Sequence, residues 1–253
     1  MKIKPILKYE LREDFKSLAI FYAIYFSVII LSVITTLLTS TVEIGQINGV
    51  EFASAIFLLV TGMNSFKNHF HFSLTNSVPR KKLFISTIQS FGILSVFMAI
   101  VNFIVSFILT RFINVSPLFY MLYHPNYPTS TPKQSLQNIS YILPEFVWGI
   151  FLLITMSLLG YFITLLYYRM SKILKITVSV GVPGFLFLVL PIIDLRLDNK
   201  ITTTIFNFFR MIMGLETGSY NPWIAVVSFI CFSIILSALC YIMIRKVTIK
   251  AQK

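Results

Sequence analysis

An all-α polytopic membrane protein is the fold class that three observations predict. Of the 253 residues, 57% are hydrophobic and only 12% charged, about half the charge of an ordinary soluble domain. Six apolar runs free of central charges approach or exceed the roughly 20 residues that a helix needs to cross a bilayer. None of these runs alternates polar and apolar residues as a barrel strand would, and lipid admits only helices or closed barrels. The chain therefore reads as one transmembrane domain over 1–253 with six spans.

The elements follow in order. Residues 1–17 repeat Ile3, Leu7, Leu11 and Phe15 beside Lys4, Lys8, Arg12 and Lys16, with Pro5 suited to a first helical turn. This pattern predicts an amphipathic elbow helix in the headgroup region, its cations toward anionic lipid. The charged start leads into a full-length span and not a short h-region, so no removable signal is expected. Span 1 is about Leu18 to Ser40, span 2 about Val50 to Phe66 and span 3 about Leu83 to Thr110. Span 2 is short, so its helix is expected to continue into the connector 64–82. The segment 111–142 carries Pro117, Pro125, Pro128 and Pro132 and reads as an irregular outer loop. Span 4 runs from about Leu143 to Tyr168 with Pro144 in its first turn. Span 5 runs from Ile176 to Ile193, where Gly181, Pro183 and Gly184 predict a kink. In 194–221, Ile201, Ile205, Phe208, Phe209 and Ile212 recur at helical spacing, so a short amphipathic helix is expected on the outer face, closed near Gly214 or Gly218. Span 6 is about Pro222 to Ile244.

Charge sets the orientation. Sixteen of the 21 cations fall in 1–17, 64–82, 169–175 and 245–253, and the other five in the alternate segments. The positive-inside rule then places both termini in the cytoplasm of a multi-pass cell-membrane protein. The net charge of +12 is in this reading a topology signal and not a nucleic-acid footprint, because no basic folded soluble domain carries it.

Motifs that carry chemistry are missing from the sequence. There is no phosphate-binding G-x-x-x-x-G-K-[ST], no G-x-S-x-G and no H-E-x-x-H. His69 and His71 point apart on a helix, and His124 stands alone, so no metal site is expected. Asp194 and Asp198 form a metal-like pair only superficially, with Arg196 between them. Cys231 and Cys240 fall on opposite faces of span 6 and cannot bridge. No span has a central ionisable residue, which disfavours an ion-coupled carrier. Glu51 and Glu145 begin spans 2 and 4, where a helix N-terminus favours an acid. Alternatively they line an outer vestibule. Small and polar residues within the spans, among them Ser27, Ser32, Thr35, Asn102, Ser106, Ser157, Gly160, Ser228 and Ser233, suit close helix packing.

The connector 64–82 is the longest stretch on the basic side with several cations and no acid. It reads Phe66, Phe70, Phe72, Leu74, Thr75, Asn76, Ser77, Val78, Pro79, Arg80, Lys81, Lys82 and, just beyond, Phe84. An aromatic-rich helix end, an Asn-x-x-Pro-Arg-Lys step into span 3, an N-terminal elbow and six spans together resemble the permease subunit of ABC-2-type ABC transporters. Ser77-Val78-Pro79 stands where that family commonly has a Gly before the step. The resemblance implies a small Gram-positive, hence bacterial, permease akin to those of antimicrobial-peptide immunity and phenol-soluble modulin export. It implies a non-enzymatic subunit without a cofactor of its own, with Mg-ATP held by a separate cytoplasmic ATPase. Lys67, Phe70, Phe72, Leu74, Asn76, Arg80 and Lys81 would form the docking segment. A second permease subunit, identical or a sister chain, would complete the path for an amphipathic or hydrophobic peptide. The competing reading is a membrane-embedded immunity or regulatory protein that binds a peptide or partner without moving it.

Overall fold

In the computed structural model the described residues are 3–39, 47–49, 51–75, 78–109, 115–123, 139–216 and 219–245. They form an antiparallel bundle of long helices: α1 (Ile3–Thr39), α2 (Glu51–Thr75), α3 (Arg80–Leu109), α4 (Leu118–Tyr123), α5 (Ile139–Arg169), α6 (Lys172–Arg196), α7 (Lys200–Ile212) and α8 (Pro222–Arg245). Five helices are long and apolar enough to cross a membrane, namely α1, α3, α5, α6 and α8. In α2 the apolar part is shorter, Glu51–Phe66, and the helix runs on to Thr75. Two short ladders trim one end of the bundle: β1 (Ile47–Asn48) pairs in parallel with β2 (Val115–Ser116), and β3 (Leu215–Glu216) pairs antiparallel with β4 (Ser219–Tyr220).

The core is built around α5, which packs on α2, α3 and α8. Its closest contact, with α2, depends on two glycines. A Cβ on Gly62 would fall on the Ser157 carbonyl oxygen, and one on Gly160 on the Leu59 carbonyl oxygen. Backbone therefore meets backbone at this crossing, and Thr164 Oγ1 donates to the Met63 carbonyl at 2.8 Å just beside it. Without a hydrophobic drive between helices in lipid, such close approach is the main source of their association. Three apolar clusters stack along the bundle. Phe66, Phe91, Tyr161 and Leu165 are in one at the end where α1 begins, Leu58, Leu94 and Met98 in one at mid-height, and Phe119, Trp148 and Phe229 in one at the far end.

The expected elbow does not exist as a separate element. Residues 3–39 form one uninterrupted helix of 37 residues, about 55 Å long, against a hydrocarbon thickness of about 30 Å. Nothing between Phe15 and Leu18 breaks the helical geometry, since no Gly or Pro lies there. Lys4, Lys8, Arg12 and Lys16 are all exposed on one face, as the spacing predicts. The face that packs is Ile6, Glu10, Asp14 and Leu18, all buried, and not the apolar stripe beside the cations, of which Leu7, Leu11 and Phe15 are only half-buried.

Helix α5 starts at Ile139, a turn earlier than expected, so Pro144 lies inside it. In α6 two wide π-turns, Thr177–Gly181 and Phe185–Val189, flank Pro183. A proline removes one backbone donor and crowds the turn before it, and wider turns accommodate both effects. No side chain of α6 before Asp194 is buried against the rest of the chain. Its one described side-chain tie to α5 is a 3.0 Å hydrogen bond between Ser179 Oγ and Tyr167 Oη.

The amphipathic helix expected within 194–221 is α7, and its apolar Ile205, Phe208 and Phe209 are exposed. Asp194 is its cap and not half of a metal pair: its carboxylate accepts from the N–H of Ile201 at 2.8 Å and of Thr202 at 3.1 Å. The chain reverses between α6 and α7 through Asp198 and Asn199, both left-handed at φ 52° and 58°. Gly214, at φ 65°, ends α7 where a Cβ would strike the Asn221 carbonyl. Replacing Asp194 with Ala is expected to accelerate amide hydrogen exchange at Ile201 and Thr202 while leaving that of α8 unchanged; Asp194→Asn, which keeps an acceptor, should retain partial protection.

Candidate functional site

The two ends of the bundle each bring polar side chains together, and they differ in kind. At the basic end lie the start of α1, the end of α2, the start of α3 and the end of α8. Here α1 and α3 meet through carboxyl and hydroxyl groups in matching register. Ser86 Oγ donates to Glu10 at 2.7 Å and Thr87 Oγ1 at 3.3 Å, while Ser90 Oγ donates to Asp14 at 2.9 Å. Glu10 is 1% exposed and Ser86 and Ser90 are fully buried. The four-residue step from Glu10 to Asp14 matches the step from Ser86 to Ser90, which is one helical turn on each partner. Beside this seam a polar cavity of about 120 Å³ opens between α1 and α2, lined by Glu13, Asp14, Ser17, Thr61, Asn64 and Ser65. Arg80, the first residue of α3, donates through Nη1 to the Arg245 carbonyl at 2.9 Å and so caps the C-terminal end of α8.

The connector 64–82 is therefore a tight helical hairpin. Lys67, Phe70, Phe72 and Leu74 lie on the final turns of α2, though their side chains are outside the described residues. Asn76 and Ser77 are wholly outside them, Val78 is buried, and Arg80 and Lys81 are exposed at the start of α3. Among the described residues no coupling helix distinct from α2 lies between Thr75 and Arg80. His69 and His71 share its final turns with undescribed side chains, and His124 and most of the proline-rich loop also fall outside the described residues.

At the opposite end Glu51 and Glu145 line one cavity. Glu51 is the first residue of α2 and is held firmly: Oε1 accepts from Ser106 Oγ at 3.0 Å and Oε2 from the Leu118 N–H at 3.1 Å. One carboxylate thereby joins α2, α3 and α4. Glu145, on the second turn of α5, is bonded by Tyr120 and lies close enough to Glu51 for their charges to interact, while its Oε2 is buried without a partner. Asn102 completes the polar lining; its Oδ1 accepts from Ser54 Oγ at 2.9 Å. Phe119 and Trp148 contribute rings 6.0 Å apart at 68°. The cavity volume is about 40 Å³, space for two or three atoms of water size.

Of the intramembrane polar residues named from sequence, Asn102 and Ser106 bond across helices, as does Ser233, which meets Thr155 at 2.9 Å. Ser27, Ser32 and Thr35 donate to carbonyls of their own helix. Cys240 is buried and Cys231 exposed, both as free thiols. Among the described residues no group of three or more His, Cys, Asp or Glu is placed to hold a metal. The seam from Glu10 and Asp14 to Ser86 and Ser90 was not expected from the sequence, although the matched four-residue spacing is present in it.

No family model, curated protein or solved structure matches the chain.

Proposed function

We propose that this chain is the transmembrane permease subunit of an ATP-driven exporter, docking a cytoplasmic ATPase through residues 64–82 and pairing with a second permease subunit. The observation that carries the reading is the α2–α3 hairpin. Helix α2 continues nine residues past its apolar segment, and α3 begins after a link of only four residues. A stiff helical lever with aromatics and cations at its tip is suited to receiving a push from a soluble motor. Phe70 and Phe72 are the anchors in this reading, since buried aromatics dominate interface energetics. Arg80, bonded to the end of α8, and the Glu10–Ser86 seam would pass the displacement to α8 and α1 together. Counting α2 as a span gives six, with both termini on the cytoplasmic side by the positive-inside rule.

Pairing is supported by α6. A 25-residue apolar helix whose side chains find almost no partner among the described residues has a whole face available for another subunit. The exported cargo in this reading is an amphipathic or hydrophobic peptide, which a seam between two subunits admits laterally.

Co-expression with a candidate ATPase tests the proposal. Phe70→Asp/Phe72→Asp is expected to abolish co-purification, a loss of at least about tenfold in affinity from two anchors, while the variant elutes in detergent as the parent does. Undiminished co-purification would remove 64–82 from the docking role. A chain that purifies alone with every such ATPase, yet binds peptide, would favour the immunity or regulatory reading.

A further inference from the structure

We propose that α7 is an in-plane membrane anchor, its apolar face sunk among the lipid acyl chains of the leaflet opposite the basic end of the bundle. This inference does not depend on the docking of an ATPase and holds for either reading of the chain's role. Around the helix axis Ile201, Ile205, Phe208, Phe209 and Ile212 fall within about 100° of one another, and Lys200, Thr203, Asn207 and Arg210 lie on the other side. Ile205, Phe208 and Phe209 are 43%, 55% and 57% exposed. An apolar patch of this size is seldom left to water.

Both ends of α7 fix its height. At its start, the N–H groups of Ile201 and Thr202 are held by Asp194, near the end of α6. At its finish, Ser228 Oγ of α8 donates to the Ile212 carbonyl at 2.9 Å, and the Asn221 N–H donates to the Gly214 carbonyl at 3.0 Å. The end of α6 and the start of α8 lie on the same side of the bundle. A helix of 13 residues, about 20 Å long, that starts and stops at one boundary runs along the membrane and does not cross it. Tyr220 and Trp223, exposed next to its end, are the residue types that mark such a boundary.

The polar groups of α7 are met from within the chain. Thr203 Oγ1 donates to the Asn199 carbonyl at 2.8 Å and Thr204 Oγ1 to the Lys200 carbonyl at 2.7 Å. Arg210 donates to the Leu215 carbonyl through Nε at 3.3 Å and Nη2 at 3.2 Å, and its guanidinium lies 5.9 Å from the centre of the Phe206 ring. Lipid requires polar groups to be satisfied in this way, whereas a protein interface ordinarily bonds across to its partner. The occupant that fits is therefore the bilayer and not a protein surface. Through Asp194 the anchor also holds the end of α6, whose side chains are otherwise almost unpartnered among the described residues.

Site-directed fluorescence in phosphatidylcholine nanodiscs tests the proposal. In a Cys231→Ala/Cys240→Ala background, Phe208→Cys and Asn207→Cys each carry one environment-sensitive fluorophore. The label at Phe208 should emit to the blue and lose emission to a nitroxide placed high on the lipid chain, with little loss to iodide in the water. The label at Asn207 should show the reverse. A nitroxide at the chain end should quench the Phe208 label less than the high one, because an interfacial helix sinks only about 5–10 Å. Equal iodide quenching at the two positions would place the face in water and overturn the proposal. Shielding of the Phe208 label from both quenchers would mean that a protein, such as a second copy, covers the face, and would overturn it too. Stronger quenching from the chain end would refute the in-plane course. Should either labelled chain elute abnormally, Ile205→Cys and Thr203→Cys repeat the comparison one turn earlier, with the same outcomes deciding.

Discussion

Gly62→Val is expected to prevent the bundle from assembling, with a loss of about 3 kcal/mol or more in helix–helix stability. The added carbons would occupy the position of the Ser157 carbonyl, and backbone cannot turn aside as a flexible side chain can. Gly160→Val should do the same through the Leu59 carbonyl, because the two glycines face reciprocal backbone stretches at one crossing. In water a helical glycine replaced by alanine usually gains roughly 1 kcal/mol. Here even Gly62→Ala should destabilise. Reversible unfolding in mixed micelles, followed by far-ultraviolet circular dichroism and by protection of a cysteine placed at the crossing, measures the effect. Gly92→Ala is the control, since a Cβ there meets nothing within 4 Å and should be neutral or stabilising. If Gly62→Val and Gly92→Ala behaved alike, the close α2–α5 contact would not be the joint that holds the bundle.

The second large effect concerns the seam between α1 and α3. Ser86→Ala is expected to cost about 1–3 kcal/mol, the range for losing a hydrogen bond to an ionisable buried partner. The Glu10 carboxyl would then lose its 2.7 Å bond while the longer 3.3 Å bond from Thr87 remains. Glu10→Leu combined with Ser86→Ala should cost less than the sum of the two single changes, because with both groups gone neither is left facing the other's vacant place. Fully additive costs in a double-mutant cycle would mean that the two groups do not act on one another. Lys8→Ala, on the exposed face of the same helix, should change stability by no more than about 0.5 kcal/mol.

The helical class was legible because uninterrupted apolar runs leave no other option in lipid. Gly160 was legible as a packing residue, since small side chains in a span have few other uses. Glu51 and Glu145 were legible as a pair only by position, each beginning a span. The seam was missed for a specific reason. Charge near the helix ends entered the reading only as a count of cations for orientation, which treats every charge there as solvated and draws no attention to Glu10 and Asp14. Burial of an acid is instead decided by what the partner helix presents, and here Ser86, Thr87 and Ser90 lie 76 or 77 residues away in sequence. The elbow was drawn as a separate helix because composition changes near residue 17, yet backbone geometry does not follow composition. The isolation of α6 could not be read at all. A span facing lipid and a span buried among helices are equally apolar, so hydropathy carries no information on which neighbours a span will have.

The length of α1 has a consequence for biosynthesis. Its first turns carry two acids that become sheltered only when α3 arrives, many residues later in translation. Until then this amino-terminal stretch must stay in water while the rest of the same helix already lies in lipid. A nascent chain ending before residue 86 has neither hydroxyl partner for these acids, so the start of α1 reaches its final packing only once α3 is complete.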